Sequence, residues 1–110
     1  YTHVLGHFVR ERGSLTLMGA LRKSSLMPAQ RLEGRTPSMK NKGRLRVGAD
    51  ADLVAFDPDR VIDRATYKEP ALPPEGMVHV LVNGVPVVTD GGLQRGVAPG
   101  RPVRAPITGV

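Results

Sequence analysis

The sequence predicts an α+β fold, N-terminal helices followed by a small antiparallel β-sheet, and three observations carry that prediction. Apolar residues recur at helical spacing in the first third, an Asn-Gly pair separates two β-branched runs in the last third, and 13 Gly and 10 Pro in 110 residues keep elements short. With two Tyr, two Phe and no Trp, the core is expected to be thin for its surface.

In Tyr1–Arg12, Val4, Leu5, Phe8 and Val9 share one helical face and Gly13 supplies a stop, so this segment is expected to be helical. Ser14 is the expected N-cap of a second helix, Leu15–Ser24, with Leu15, Leu17, Met18 and Leu21 as its apolar stripe and Arg22-Lys23 in its last turn. A new cap near Ser25, with Pro28 in the first turn, predicts a separate short helix Pro28–Leu32. Residues 35–42, polar and basic around Pro37, read as an exposed connection.

Strict alternation in Gly43–Gly48 predicts a very short strand with Leu45 and Val47 inward and Arg44 and Arg46 outward. Gly48-Ala49-Asp50 forms a turn into a strand over Ala51–Phe56, whose consecutive Leu53, Val54, Ala55 and Phe56 suit burial on both faces, and Asp57-Pro58 ends the ladder. Asp59–Leu72 reads as a loop with one helical turn near Arg60–Asp63, and Pro70, Pro73 and Pro74 keep the next segment extended. Asn83-Gly84 predicts a two-residue hairpin turn that pairs Val82 with Val85 and Leu81 with Pro86. Pro86 has no N–H, so its strand should be an edge or bulged there. Asp90-Gly91-Gly92 forms the next turn, and 105–110 is expected to be a disordered tail.

The net charge of +6 is unevenly spread: residues 1–47 hold ten Lys/Arg against two Glu, and residues 48–110 hold six against eight Asp/Glu. Only Phe8 stands among the basic residues, so they read as a solvated face, or one covering an acidic neighbour, before a nucleic-acid site. Without cysteine, disulfides and thiolate metal sites are excluded, which fits a cytoplasmic protein. No signal peptide or run long enough for a membrane span is apparent, and the start at Tyr1 without an initiator Met is the expected mark of an excised piece.

His3 and His7, four apart, lack the Glu of a His-Glu-x-x-His metal helix, and His79 is remote in sequence. Asp50-x-Asp52 starts like a calcium loop but continues into Val54 and Phe56, so it reads as a turn, as do Asp57 and Asp59 around Pro58. No Ser has a His and acid partner by spacing, and no Gly cluster opens a helix as a phosphate loop. The expected inventory of catalytic, cofactor-binding and metal-ligating residues is therefore empty.

Several segments occur here in order: Ser-Leu-Met-Pro-Ala-Gln-Arg-Leu (25–32), Lys-Gly-Arg-Leu-Arg-Val-Gly-Ala-Asp-Ala-Asp-Leu-Val (42–54), Phe-Asp-Pro (56–58), Asp-Arg-Ala-Thr-Tyr (63–67), Pro-Pro-Glu-Gly (73–76) and His-Val-Leu-Val-Asn-Gly (79–84). Together they closely resemble the C-terminal end of the N-acyl-D-amino-acid deacylase, or D-aminoacylase, group of the metal-dependent amidohydrolase superfamily. Gly-x-Asp-Ala-Asp-Leu with a later Val-Asn-Gly is shared with hydantoinases and dihydroorotases; Asp-Arg-Ala-Thr-Tyr and Pro-Pro-Glu-Gly are narrower.

The resemblance implies a parent enzyme with a metal-bearing (β/α)₈ barrel and a small β-sandwich built from both chain ends. Residues 1–34 would be the last barrel-side helices, 35–42 a connection and 43–104 the C-terminal part of the sandwich. In such enzymes a zinc-bound hydroxide attacks the acyl carbonyl and an Asp near the last barrel strand moves the proton, releasing a D-amino acid and a carboxylate. The family's ligands lie upstream of the matched portion, so the resemblance implies a non-catalytic segment that binds no zinc itself. Its partners would be the barrel and the N-terminal sandwich strands, and the parent's substrate a small N-acyl-D-amino acid. A segment of a hydantoinase- or dihydroorotase-like enzyme, or a basic nucleic-acid-binding module, are the alternatives.

Overall fold

The computed structural model describes residues 1–107. The first helix, α1, spans Val4–Glu11 in wide, π-type turns. Ser14 closes it: both its backbone N–H and its hydroxyl donate to the Phe8 carbonyl, at 3.0 and 3.2 Å. The cap of the next helix is therefore Thr16, whose Oγ1 accepts from the Gly19 N–H at 3.1 Å, and not Ser14.

That helix, α2, is one continuous run over residues 17–32, where the sequence suggested two helices separated at Ser25. It comprises an α-turn segment Leu17–Leu21, a widened segment Arg22–Leu26 and a second α segment Met27–Leu32. The Met27 N–H reaches five residues back to the Arg22 carbonyl. Pro28, which has no N–H to donate, follows directly, so the widened turn carries the chain past the proline without a break. Residues 37–41 then form a short 3₁₀ turn.

A four-stranded antiparallel sheet follows in the order β1-β2-β3-β4, with β1 Leu53–Phe56, β2 Met77–Val82, β3 Val85–Thr89 and β4 Gly92–Leu93. Val82 pairs with Val85 and Leu81 with Pro86, across Asn83 and Gly84 at φ 49° and 75°. The register shifts between Val80 and Leu81, so that Val80 lies opposite Val88. β3 is an inner strand, yet β4 pairs only with Val88 and Thr89, which leaves Pro86 clear of any demand for an N–H.

Three further expectations are corrected. Residues 43–48 form no strand, and Leu45 and Val47 point outward, because Arg44 and Arg46 turn to partners on the protein instead. β1 is exposed rather than covered on both faces, with Leu53 and Val54 38% and 51% accessible. The turn expected at Arg60–Asp63 falls earlier, because the Asp57 carbonyl accepts from both Arg60 and Val61 N–H and the Asp57 side chain from Asp59 N–H. Of the tail expected to be disordered, 105–107 is irregular and 108–110 lies outside the described residues.

The core lies where the helices meet the segment after β1. Leu5, Ala20 and Val61 are buried together, with Val4, Val9, Leu15, Leu17, Leu21, Phe56 and Met77 packed around them. Gly6 and Gly76 let two backbone segments approach Val61 directly: a Cβ on Gly6 would lie 2.7 Å from the Val61 carbonyl oxygen, and one on Gly76 would collide with the Val61 backbone.

Candidate functional site

The most connected polar cluster gathers Lys42, Asp50, Asp52 and Asn83. The turn after Gly48 brings Asp50 back to the end of the 3₁₀ segment, where its N–H donates to the Asn41 carbonyl at 3.0 Å. Lys42 Nζ then lies 2.9 Å from Asp50 Oδ2 and 2.5 Å from Asp52 Oδ2. The other oxygen of Asp52 accepts the Asn83 backbone N–H at 2.9 Å, and the Gly84 N–H donates to the Ala51 carbonyl, also at 2.9 Å. The Asn83 amide donates to the Pro99 carbonyl at 2.7 Å. One ammonium and two carboxylates thus fasten the connection, the entry to β1 and the β2–β3 turn, and the Asn83 amide ties the tail to that turn.

The electrostatics follow from that wiring. The Asp52 carboxyl is held below the usual carboxylate range, first by the Asn83 N–H and then by Lys42. Lys42 is raised above the ordinary lysine value, first by its hydrogen bond to Asp52 and then by Asp50. The two carboxylates share one protein cation, Lys42, and Asp52 also accepts a backbone N–H, as in a structural turn. An open groove beside the cluster runs between Lys42, Asp50, Asn83 and Arg101–Arg104.

The histidines serve local contacts. His7 Nδ1 lies 2.9 Å from Glu11 Oε2 and His3 Nδ1 3.4 Å from Asp63 Oδ1, with the two rings stacked 5.0 Å apart and Phe8 edge-on to both. His79, on β2, accepts the Asp90 N–H at 3.4 Å. Among the described residues no group of three or more His, Cys, Asp or Glu is arranged to hold a metal ion.

Several cations of the basic half are engaged within the protein. Arg10 donates to the Val61 and Pro58 carbonyls at 2.7 and 3.1 Å, Arg44 meets Glu33 at 2.9 Å, Arg46 donates to the Lys40 carbonyl, and the Arg12 guanidinium stands 6.0 Å from the centre of the Phe8 ring. Sequence reasoning missed Lys42 and Arg10, placing Lys42 in an exposed connection. The available signal was the Asp50-x-Asp52 pair itself: two carboxylates on one turn, with no further metal ligand, call for a cation nearby.

Fold and clusters together describe an α+β unit whose charged side chains tie loops to one another. The chain belongs to the amidohydrolase family, whose model matches residues 1–88. It is 48% identical over 87 residues to an N-acyl-D-glutamate deacylase of Alcaligenes xylosoxydans xylosoxydans, and 38% identical over 87 residues to a D-aminoacylase from the same organism; each match takes in 79% of this chain and 17% of the relative. Among solved structures, an N-acyl-D-glutamate deacylase from Bordetella bronchiseptica, complexed with zinc and a phosphonate mimic of the tetrahedral intermediate, superposes with a TM-score of 0.79 at 42% identity. That match covers 94% of this chain and 20% of the other. A D-aminoacylase studied for its binuclear metal centre gives a TM-score of 0.75 at 33% identity, over 86% of this chain and 19% of that one. The chain therefore spans about a fifth of the length of these relatives. No helix among the described residues is long and apolar enough to cross a membrane.

Proposed function

We propose that this chain is the non-catalytic C-terminal segment of a zinc-dependent N-acyl-D-amino-acid deacylase. Residues 1–34 would cover the end of the barrel, 35–42 connect, and 43–104 complete the small β-sandwich. The observation that carries the reading is the 48% identity to an N-acyl-D-glutamate deacylase, held over 87 residues that are only 17% of that enzyme. The exposed apolar residues of β1 support it, since a strand with Leu53 and Val54 open to water suits a sheet that expects a covering layer.

The parent would add water across the amide of its substrate and release a D-amino acid and a carboxylate in the cytoplasm. Zinc would be held by upstream residues, and no step of the reaction is assigned to side chains of this segment. N-acyl-D-glutamate is the first substrate to test, because the identity to the glutamate enzyme exceeds the 38% to the D-aminoacylase and to the N-acyl-D-aspartate deacylase.

The test is hydrolysis by the full-length parent, loaded with zinc, of N-acetyl-D-glutamate, N-acetyl-D-aspartate, N-acetyl-D-leucine and hydantoin. Turnover of linear N-acyl-D-amino acids is expected. Ring opening of hydantoin without linear amide cleavage would replace the deacylase with a cyclic amidase. Turnover by the 110-residue chain alone would overturn the non-catalytic assignment.

A further inference from the structure

We infer that residues 43–48 form a docking tooth, which inserts Leu45 and Val47 into an apolar recess on the upstream body of the parent polypeptide. The inference rests on the reading of this chain as a segment of a longer deacylase. Leu45 is 87% accessible and Val47 fully so, although the same stretch carries two arginines better suited to water. No alternation of faces survives: Arg44 is half-buried against Glu33, while Leu45, Arg46 and Val47 are all exposed, with the Arg46 guanidinium tied back to the Lys40 carbonyl.

The loop is held at several points. Arg44 is held by Glu33 of α2 at 2.9 Å, and Arg46 by the Lys40 carbonyl at 3.0 Å. At the base of the loop, the Asp50 N–H donates to the Asn41 carbonyl and Lys42 bridges Asp50 and Asp52. Gly43 lies against α2 so closely that a Cβ there would stand 2.5 Å from the Ser25 carbonyl oxygen and 3.0 Å from the Ala29 Cβ. A loop fixed on both flanks cannot fold its two aliphatic side chains back onto its own domain. Only another surface can cover them.

The upstream body is that surface because the relatives place about four-fifths of their length outside the matched segment, on the same polypeptide. Leu53 and Val54 of β1, a few residues further along the chain, are accessible as well. The chemistry required of the recess is aliphatic, since Arg44 and Arg46 already have partners within this chain.

Two measurements on the full-length parent test the inference, and neither depends on turnover. Maleimide labelling of Leu45→Cys, read at that site by peptide mass, is expected to be slower than in the urea-unfolded parent by about tenfold or more. Hydrogen exchange of the unsubstituted parent should show the amides of 44–48 protected, which covers the case in which the substituted protein fails to fold. Labelling and exchange at unfolded-chain rates would overturn the tooth. Protection that appears only at high protein concentration would assign the surface to a second copy and overturn the upstream body as its occupant. A parent that protects the loop but hydrolyses no N-acyl-D-amino acid would refute the substrate assignment alone.

Discussion

Val61 and β1 lie within ten residues of each other and are held in opposite ways. Val61 is 1% accessible, packed against Leu5 and Ala20, with Arg10 donating to its carbonyl and the backbones of Gly6 and Gly76 against it. β1 has hydrogen-bonded neighbours on one side and apolar side chains open to water. The first region is stabilised by its own packing, the second by register and turn bonds. The difference teaches that the free-standing core sits between the helices and the loop after β1, and that the sheet is fastened to it through Phe56 and Met77.

Breaking the packed region should have the largest effects. Gly76 has φ 80° and no room for a Cβ, so Gly76→Ala strains the backbone and forces Val61 away at once. Urea unfolding is expected to show a loss of about 3 kcal/mol. Val61→Ala leaves a cavity without backbone strain and should cost about 2 kcal/mol. An equal or larger loss from Val54→Ala would erase the distinction between the two regions.

The unequal legibility of the chain has the same origin. The pairing of Leu81 with Pro86 and of Val82 with Val85 could be read from Asn83-Gly84, because the turn is a local property of two residues that tolerate positive φ. The helical character of 1–34 could be read from spacing, but not the passage of α2 through Pro28, since a widened turn leaves no mark in an apolar pattern. Val61 carried no periodic signal; its burial comes from Gly6 and Gly76, seventy residues apart in sequence, meeting at one backbone position. For Leu45 and Val47, alternation suggested a strand with both inward, and the structure has neither the strand nor the burial. Glu33 and the Lys40 carbonyl capture the neighbouring arginines instead.

The fastening of the sheet should give an intermediate effect. Asp52→Ala removes the acceptor of the Asn83 N–H and a partner of Lys42, at a site about a third exposed, so solvent screening limits the expected loss to about 1 kcal/mol. The pH dependence has a definite sign. The folded-state value of Asp52 is lowered, so its contribution is present above the ordinary carboxylate range and is lost as pH falls below about 4. That of Lys42 is raised, so its contribution holds below the ordinary lysine value of about 10.4 and is lost as pH climbs through the folded value. Asp52→Asn retains an oxygen for Asn83 but should flatten the acid limb of a stability-against-pH curve; an unchanged acid limb would remove the cluster from the account.

The smallest effect is expected from the most conspicuous surface pair. Arg64 and Glu75 meet at 2.7 Å, closer than Arg44 and Glu33, yet both side chains are about half exposed. Water solvates each partner nearly as well alone, and salt screens what attraction is left. The Glu75 backbone, by contrast, exchanges two hydrogen bonds with Ile62 beside the Val61 core, at 3.2 and 2.9 Å. Arg64→Ala leaves those backbone bonds in place, so Tm should be unchanged in low and in moderate salt. A clear fall in Tm at low salt, abolished by added salt, would show that the rim of the packed region depends on charge as the sheet does.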